Sequence, residues 1–319
     1  MKKAFITGIS GFAGNFLARQ LLNEGVYAVS GTYHAEQSLE NIADIAPQLH
    51  LHKVDLTDGQ AIDSVISSIK PDVIFHLAAL ASPAQSFKDP SLTFTTNVTG
   101  QIHLLEAIRK AGLSASRIVI VSSAEVYGIV KESDLPIDEA TQMNPVSPYA
   151  VSKITQDYLG LQYFLTYDQH IVRVRPFNHI GPGQKTAYAV STFAQQIALI
   201  EKRKQEPVLR VGKLSAKRDF TDVRDIVKAY VLLAEKGTPG DVYNIGSGVS
   251  YEMKVILEKL VSFSTEKITI ETDQSRFMPV DIPDNRTDNT KLRKQTGWET
   301  TISIDRSLRD VLDYWRRIA

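Results

Sequence analysis

Three glycines near the start of the chain limit most strongly what it can fold into. Gly8, Gly11 and Gly14 follow the short apolar run 3–7 and open the amphipathic segment 12–24, a pattern typical of a strand, a tight turn and a helix. Glycine lets the turn close and lets a diphosphate approach the backbone at the helix N-terminus. The spacing therefore predicts a dinucleotide-binding turn, with Phe12 between the glycines at the same site.

Apolar runs of strand length alternate with helix-length segments over the first 177 residues. Most runs are apolar on both faces, as a sheet covered by helices on both sides requires. Strands joined in this way imply right-handed βαβ units, so we predict an α/β protein with a Rossmann-type, doubly wound parallel sheet. The predicted strands are 3–7, 27–33, 49–56, 72–79, 117–123 and 170–177, and the predicted helices are 12–24, 58–69, 91–112 and 148–168.

The regular alternation weakens after residue 177. Gly and Pro cluster at 180–184, a long helical stretch follows, and short strands with turn signals come next. The segment 222–237 has the apolar spacing of a helix that returns to the first lobe. We therefore predict a dinucleotide-binding lobe of residues 1–177 with 218–245, and a smaller substrate lobe of residues 178–217 and 246–319.

Charge and cysteine content exclude several classes of protein. The chain has 36 basic and 36 acidic residues, and this balance gives no general attraction to nucleic acid or to an anionic membrane. It has no cysteine, which excludes disulfides, a thiolate nucleophile and Cys-ligated zinc. No apolar run reaches the ~18 residues of a membrane span, and no ligand spacing indicates a metal site. We expect a cytoplasmic enzyme that has no metal.

The end of the second predicted strand is where the adenosine ribose of a dinucleotide binds. An Asp or Glu there favours NAD, and an Arg favours NADP. This chain has Thr32 and His34 instead, which do not repel a 2′-phosphate and can donate hydrogen bonds to it. NADP(H) is therefore favoured, with NAD(H) as the alternative. Asp55 is predicted either to contact the adenine or to cap the next helix with Thr57.

Tyr149 and Lys153 are four residues apart at the start of the predicted helix 148–168, so they share one face. A tyrosine has a pKa of about 10 and is a poor acid–base group at neutral pH. A neighbouring ammonium stabilises the phenolate, so we expect Lys153 to bring the pKa of Tyr149 toward the working range. The pair occurs by chance in many helices, and its context therefore decides its meaning.

The order of these motifs resembles the extended short-chain dehydrogenases/reductases, which modify nucleotide sugars. The resemblance covers nearly the whole chain: TGISGFAG, HLAA (76–79), NVTG (97–100), SSAEVYG (122–128), PYAVSK (148–153), RPFNHIGPGQ (175–184) and RDFTDVRD (218–225). Besides the residues named above, it implies cofactor contacts for Leu56, Leu77, Ala78, Ala79, Asn97, Tyr149 and Lys153.

The resemblance also assigns catalytic and substrate-binding roles. Ser123 and Tyr149 bracket the C4 oxygen of the sugar, Tyr149 transfers the proton, and Lys153 also holds the nicotinamide ribose. A nucleoside diphosphate needs cations even in a neutral protein, and a planar guanidinium can bind two of its oxygens at once. The resemblance implies that Arg218, Arg276 and Asn178 bind the nucleotide and the diphosphate.

The run Ser123-Ala124-Glu125 bears on which reaction this machinery serves. By the resemblance, 4,6-dehydratases carry Thr-Asp-Glu or Thr-Ser-Glu here, which supply an acid for the C6 hydroxyl and a base for the C5 proton. Ala124 cannot donate a proton, although Glu125 could still act as the base. The runs at 175–185 and 218–227 look most like those of reductases that make GDP-D-rhamnose from GDP-4-keto-6-deoxy-D-mannose. We therefore expect NAD(P)H-dependent reduction at C4, with 4,6-dehydration and 4-epimerisation as alternatives.

The helix 148–168 is also predicted to form a dimer interface. The resemblance implies a homodimer built from the two helices that flank the active-site strand. The apolar side chains expected on the exposed face are Tyr158, Leu161, Tyr163, Leu165 and Tyr167.

Overall fold

The computed structural model describes residues 1–277 and 282–319. The strands are β1 (Lys2–Thr7), β2 (Tyr27–Tyr33), β3 (His50–Lys53), β4 (Val73–His76), β5 (Arg117–Val121), β6 (Ile171–Pro176), β7 (Asn178–Ile180), β8 (Val208–Val211), β9 (Lys217–Asp222), β10 (Val242–Ile245), β11 (Ser250–Glu252) and β12 (Thr269–Thr272). The helices are α1 (Phe12–Glu24), α2 (Gly59–Ile69), α3 (Pro83–Lys88), α4 (Pro90–Phe94), α5 (Gly100–Lys110), α6 (Pro148–Tyr167), α7 (Ala189–Glu201), α8 (Val223–Lys236), α9 (Met253–Ser262), α10 (Thr290–Thr296) and α11 (Ile304–Ile318).

A seven-stranded sheet in the order β3-β2-β1-β4-β5-β6-β10 forms the centre of the protein. All of its neighbouring strands run parallel, which confirms the predicted α/β fold with a Rossmann-type sheet. The order of the strands reverses between β1 and β4, and ligands of such sheets bind at the carboxyl ends of the strands beside this reversal. The glycine turn follows β1 and the residues of HLAA follow β4, so both motifs lie at that point.

Side chains alternate between the two faces of this sheet and bury both. On one face, Ile6 and Phe75 pack with α1 and α8, and on the other, Phe5 and Ile74 pack with α2, α5 and α6. All four of these side chains are fully buried. Burial of a large apolar side chain contributes about 1.5–3 kcal/mol, so the two packed layers hold the carboxyl ends of the strands in fixed positions.

Two smaller sheets follow β6 in the chain. One has the order β11-β9-β7 and the other pairs β12 with β8. Helices α7, α9 and α11 cover them, and their core includes Phe193, Leu209, Leu257 and Leu312. Strand β10, from the segment expected to return to the first lobe, pairs with β6 in the large sheet. The division into two lobes at residue 177 stays a prediction.

Two predicted elements differ from the structure in an informative way. Strand β4 ends at His76, because the next three residues leave the sheet at its carboxyl edge. The predicted helix 91–112 contains a π-helical turn over 95–99 between α4 and α5. A π turn inside a helix is rare and often marks a functional site, and this one carries Asn97.

The prediction for the exposed face of α6 is wrong for Tyr163, and Leu161 is only partly exposed. Tyr163 is 6% exposed and packs in the core beside α5, where its hydroxyl donates to Glu106 Oε1 over 2.9 Å. Tyr158, Leu165 and Tyr167 are 55%, 70% and 43% exposed. Because the hydroxyl of Tyr163 has a hydrogen-bond partner in Glu106, this aromatic side chain can be buried although it was expected on the exposed face of α6.

Candidate active site

The turn between β1 and α1 requires glycine at two positions. Gly8 has a φ of +72°, and a Cβ there would lie 3.0 Å from the Ala78 Cα. A Cβ on Gly14 would lie 2.2 Å from the Gly8 carbonyl oxygen. Gly11 caps the helix without a side-chain hydrogen bond, so the first N–H groups of α1 keep their capacity to bind an anion. This geometry fits the diphosphate of a dinucleotide.

A buried hydroxyl connects this turn to the end of β4. Thr7 Oγ1 accepts a hydrogen bond from Ala78 N over 3.2 Å and lies 2.8 Å from His76 Nδ1. Burial lowers the pKa of His76 to about 3, so the imidazole is neutral. Gln156 Nε2 can only donate and lies 3.3 Å from His76 Nε2, so His76 accepts at Nε2 and carries its proton on Nδ1. The Nδ1–H therefore donates to Thr7 Oγ1. The contact fixes the glycine turn against the residues of HLAA.

The residues predicted at the adenosine end are largely engaged in local structure. Thr32 is 2% exposed, and its Oγ1 lies 3.4 Å from Gly8 N, beneath the turn. Asp55 Oδ1 accepts from the backbone and hydroxyl of Thr57, while the cap of α2 is Asp58. The backbone hydrogen bond from Thr57 lowers the pKa of Asp55. His34 and Asp55 are both exposed, with His34 Nδ1 4.0 Å from Asp55 Oδ2.

Asn97 lies fully buried beneath the predicted cofactor site. Its Oδ1 accepts from Leu80 N over 2.7 Å, and its Nδ2 donates to Leu80 O and to Ser152 Oγ. Each polar group of its side chain is therefore paired inside the protein. Asn97 links the segment after β4 to α6, while Leu56 is buried in the core beside α2.

The four predicted catalytic residues share one cavity of about 290 Å³. Ser123 and Glu125 reach it from the end of β5, and Tyr149 and Lys153 reach it from the first turns of α6. Predicted cofactor residues from the glycine turn and HLAA line the same cavity. They are Gly8, Gly11, Phe12, Gly14, Leu77 and Ala79.

Burial controls the acid–base properties of Tyr149 and Lys153. Burial raises the pKa of Tyr149, and the hydrogen bond with Ser123 opposes this only in part. Burial also lowers the pKa of Lys153 to about 7, and its Nζ donates to Val121 O over 2.9 Å. The Nζ lies 6.0 Å from the centroid of the Tyr149 ring. The expectation that Lys153 lowers the pKa of Tyr149 is therefore wrong for this geometry, because burial dominates the shift and Lys153 is not among the groups that cause it.

Glu125 is a buried carboxyl group in the same cavity. Burial raises its pKa, and the positive charge of Arg218 opposes that effect. The neighbouring Ala124 is 6% exposed and also lines the cavity. From the run Ser123-Ala124-Glu125, the cavity therefore receives a carboxyl group from Glu125 but only a methyl group from Ala124.

An ion-pair cluster anchors the catalytic helix to the sheet. Asp157, one turn after Lys153, lies 2.6 Å from Arg173 NH1 and 2.8 Å from Arg175 Nε. The carboxylate is fully buried, and the two guanidinium groups are nearly so. Arg175 NH1 also donates to the Tyr127 hydroxyl over 2.9 Å. Since both arginines lie on β6, the cluster fixes α6 against the strand that leads to Asn178.

A second cavity of about 710 Å³ adjoins the first. The three predicted substrate residues, Asn178, Arg218 and Arg276, all line it. Arg218 NH1 donates to Ile282 O over 2.6 Å, and Arg276 Nε donates to Asp273 Oδ2 over 3.1 Å. The structure thus brings together two guanidinium groups that are 58 residues apart in the chain.

The sequence prediction missed several residues at these cavities, and four of them are polar side chains that bear on the site. Tyr188 and Gln184 line both cavities, Lys213 lines the second, and Asn285 lines the first. The hydroxyl of Tyr188 donates to Ala81 O over 3.1 Å, which connects the start of α7 to the segment after β4. Gln184 belongs to the motif RPFNHIGPGQ, so the sequence did contain a signal for its place at the site. Tyr188, Lys213 and Asn285 lie outside all of the motifs listed in the sequence analysis. Their neighbouring residues gave no indication of a role at the site.

Two kinds of site are absent from the described part of the chain. Within residues 1–277 and 282–319, no group of three or more His, Cys, Asp or Glu side chains is arranged to hold a metal ion. Helices in the same ranges are too short or too polar to cross a membrane.

Known proteins resemble this chain over nearly its full length. GDP-6-deoxy-D-mannose reductase of Pseudomonas aeruginosa is 33% identical, covering 98% of this chain and 97% of its own length. GDP-mannose 4,6-dehydratase of Sinorhizobium fredii is 29% identical, with coverages of 95% and 93%. The structure of RMD from Pseudomonas aeruginosa complexed with NADPH has a TM-score of 0.87 at 32% identity and covers 100% of both chains. A model of the family described as GDP-mannose 4,6 dehydratase matches residues 5–311, and the chain therefore belongs to this family of extended short-chain dehydrogenases/reductases.

Proposed function

We propose that the protein uses NAD(P)H to reduce the C4 keto group of GDP-4-keto-6-deoxy-D-mannose, giving GDP-D-rhamnose. The observation that carries the proposal is Ala124, which lines the catalytic cavity between Ser123 and Glu125. A dehydratase needs a proton donor for the leaving C6 hydroxyl, and a methyl group cannot be one. The P. aeruginosa relative that is 33% identical is named for the reductase reaction.

Tyr149 acts as the proton donor at the C4 oxygen. NAD(P)H supplies a hydride to the C4 carbon when it is bound. Burial raises the pKa of Tyr149, so the phenol holds its proton at neutral pH, as a donor must. The Ser123 hydroxyl, hydrogen-bonded to Tyr149, binds the same oxygen. Oxidation at C4 would begin from the phenolate, which burial opposes.

Lys153 holds the nicotinamide ribose by hydrogen bonds and provides a positive charge beside Tyr149. Because burial lowers its pKa to about 7, the ammonium form is lost as the pH rises above neutrality. Its hydrogen bond to Val121 O directs the amine along the carboxyl end of β5. The residue thus combines a binding role with a charge that depends on pH.

The second cavity receives the GDP moiety. Arg218 and Arg276 supply the positive charge that a diphosphate needs, and Asn178 supplies a neutral hydrogen-bonding group where the two cavities meet. Arg218 also acts electrostatically on Glu125, so the nucleotide end and the sugar end are close enough to influence each other.

We propose NADP(H) as the cofactor, with NAD(H) as the alternative. The turn at Gly8, Gly11 and Gly14 fits the diphosphate, and Phe12 lies parallel to the His179 ring with centroids 6.0 Å apart at the cavity. The related RMD structure is a complex with NADPH. Two hydrogen-bond donors are predicted at the adenosine end, Thr32 and His34. Thr32 is buried, and His34 is the donor whose side chain remains exposed. Initial rates with NADPH and NADH at equal concentration test this choice, and a higher kcat/KM for NADH would reverse it.

The purified protein should oxidise NADPH only when GDP-4-keto-6-deoxy-D-mannose is present. The decrease in absorbance of the reduced nicotinamide gives the rate, and mass spectrometry should show a product two mass units heavier than the substrate. Proton NMR of the product then identifies the configuration at C4. No consumption of either reduced cofactor with this substrate would reject the proposal.

A 4,6-dehydratase is the second candidate function, because Glu125 keeps a carboxyl group in the cavity. Such an enzyme would convert GDP-mannose to the 4-keto-6-deoxy sugar without added reductant. A mixture of GDP-mannose and its C4 epimer would indicate a 4-epimerase instead. Incubation with GDP-mannose and oxidised cofactor separates these reactions from reduction.

We propose that the protein is a cytoplasmic homodimer that associates through α5 and α6. The exposed apolar side chains of α6, with Leu165 70% and Tyr158 55% exposed, support the interface. Light scattering should give a mass of about twice 35.4 kDa, and Leu165→Glu should halve it. A wild-type monomer would reject the interface, and cell fractionation tests the compartment.

A further inference from the structure

A buried asparagine connects Asp219 to the substrate residue Asn178. Asn285 is 4% exposed and lines the catalytic cavity. Its Oδ1 accepts from the backbone N–H of Asp219 over 3.2 Å, and its Nδ2 donates to Asn178 Oδ1 over 3.1 Å. These contacts join β9, the segment after residue 281 and the first residue of β7.

The backbone N–H of Asp219 fixes the direction of both amides. A backbone N–H can only donate, so the atom of Asn285 that faces it must be the carbonyl oxygen. The NH₂ group of Asn285 then faces Asn178 and requires an oxygen there. Asn178 Nδ2, which makes no hydrogen bond to any residue that the structure describes, is left as the donor beside the two cavities that Asn178 lines.

The segment that carries Asn285 is held on both sides. Lys217 N donates to Pro283 O over 2.8 Å, and Ile137 N donates to Arg286 O over 2.7 Å. The fully buried carboxylate of Asp219 accepts from Thr287 N, Ser247 N and Gly248 N. Asn285 is therefore a fixed point, while the amide of Asn178 is free to rotate unless Asn285 holds it.

We propose that Asn285 is a positioning residue that keeps Asn178 oriented as a hydrogen-bond donor to the diphosphate of the substrate. The inference rests on the proposed function only in taking a nucleoside diphosphate as the ligand. Phosphate oxygens accept hydrogen bonds and repel other acceptors, so the two orientations of the Asn178 amide differ strongly in affinity. The network selects the favourable one before the ligand binds.

The substitution Asn285→Asp tests this role with almost no change in size. The new carboxylate still accepts from Asp219 N, but its second oxygen requires a donor, so Asn178 must rotate and present its oxygen to the diphosphate. A hydrogen bond to a charged group lost in this way weakens binding about tenfold to a hundredfold. Calorimetry with GDP should show this increase in Kd, and kinetics should show a higher KM for the sugar substrate at nearly unchanged KM for NADPH.

A double-mutant cycle separates positioning from direct repulsion by the new carboxylate. If Asn285 acts through Asn178, Asn285→Asp should change GDP affinity less than about threefold in an Asn178→Ala background. Asn289→Asp is the matched control, because Asn289 Nδ2 donates to Gly246 O in the same segment and does not line either cavity. Its GDP affinity should equal that of the wild type.

An undiminished effect of Asn285→Asp in the Asn178→Ala background, or wild-type GDP affinity in the single variant, would overturn the proposal. If the Asp variant does not fold, Asn285→Ala replaces it, with GDP binding about threefold to tenfold weaker and again no effect without Asn178. GDP binding needs no turnover. A wild type that binds GDP and reduces no sugar would therefore refute the proposed function and leave the role of Asn285 testable.

Discussion

Replacing Lys153 with methionine should stabilise the protein while abolishing turnover. Lys153 is 3% exposed, and burial lowers its pKa from 10.5 to about 7. A pKa shift of one unit corresponds to ~1.4 kcal/mol. Because the unfolded chain keeps the amine charged in water, burying Lys153 costs about 4 kcal/mol of folding free energy at pH 7. Methionine has similar length and no charge, and it loses one hydrogen bond to Val121 O, worth about 1 kcal/mol. The net gain in the free energy of unfolding should be about 3 kcal/mol.

The pH dependence of this gain follows from the direction of the shift. The folded protein releases the Lys153 proton at about pH 7, whereas the unfolded chain holds it to its ordinary pKa of 10.5. Between these values the unfolded state binds more protons, so the stability of the wild type rises with pH. The advantage of the methionine variant should be largest at and below pH 7 and should decrease steadily as the pH approaches 10.

Urea unfolding followed by tryptophan fluorescence measures the difference. Wild type, Lys153→Met and the exposed-site control Lys88→Met should be compared at pH 6.5, 8 and 9.5. The control should match the wild type at each pH. A Lys153→Met protein that is less stable than the wild type at pH 7, or whose advantage does not change with pH, would refute the assignment of a costly buried amine.

Other substitutions test the catalytic residues and their support. Tyr149→Phe should still bind NADPH, measured by fluorescence titration, but should lose about 10²-fold to 10⁴-fold in kcat, because the proton donor is gone. Glu125→Gln should keep reductase activity within about tenfold of the wild type, since reduction at C4 needs one acid only; a larger loss measured by NADPH oxidation would assign Glu125 a catalytic role. The rate of reduction should fall as the pH rises through about 7, because Lys153 then loses its charge, and kcat/KM measured from pH 6 to 9 checks this. Asp157→Asn should lower the free energy of unfolding by about 3–5 kcal/mol by leaving buried arginine charge unpaired, measured by urea unfolding.

Local signals predicted much of the fold. Helix α1 and strand β2 begin and end at the predicted residues, because a glycine turn and apolar periodicity define them within a few residues. The four predicted catalytic residues share a cavity because the carboxyl ends of parallel strands meet at one edge of the sheet. That outcome depends on topology, and the order of the motifs along the chain was enough to anticipate it.

Properties that depend on distant contacts were not predictable. Asn285 acquires its place through partners 66 and 107 residues away, and no motif surrounds it. The pKa of Tyr149 was predicted in the wrong direction because the sequence shows a nearby lysine but does not show how deeply both groups are buried. Thr32 has the right position at the end of β2, yet its side chain lies beneath the glycine turn. In each case the deciding quantity is the burial or orientation of a side chain in three dimensions.

One short segment borders both cavities, and this limits how such an enzyme can evolve. Asn178, His179, Gln184 and Tyr188 face the catalytic cavity and the larger cavity alike. A substitution there alters the fit of two ligands at the same time, so most such changes would be selected against. New sugar specificity can arise more easily on walls that face a single cavity, such as residues 123–125 on one side and Lys213 with Phe277 on the other. Ala124 lies on a wall of this kind, since it lines the catalytic cavity alone.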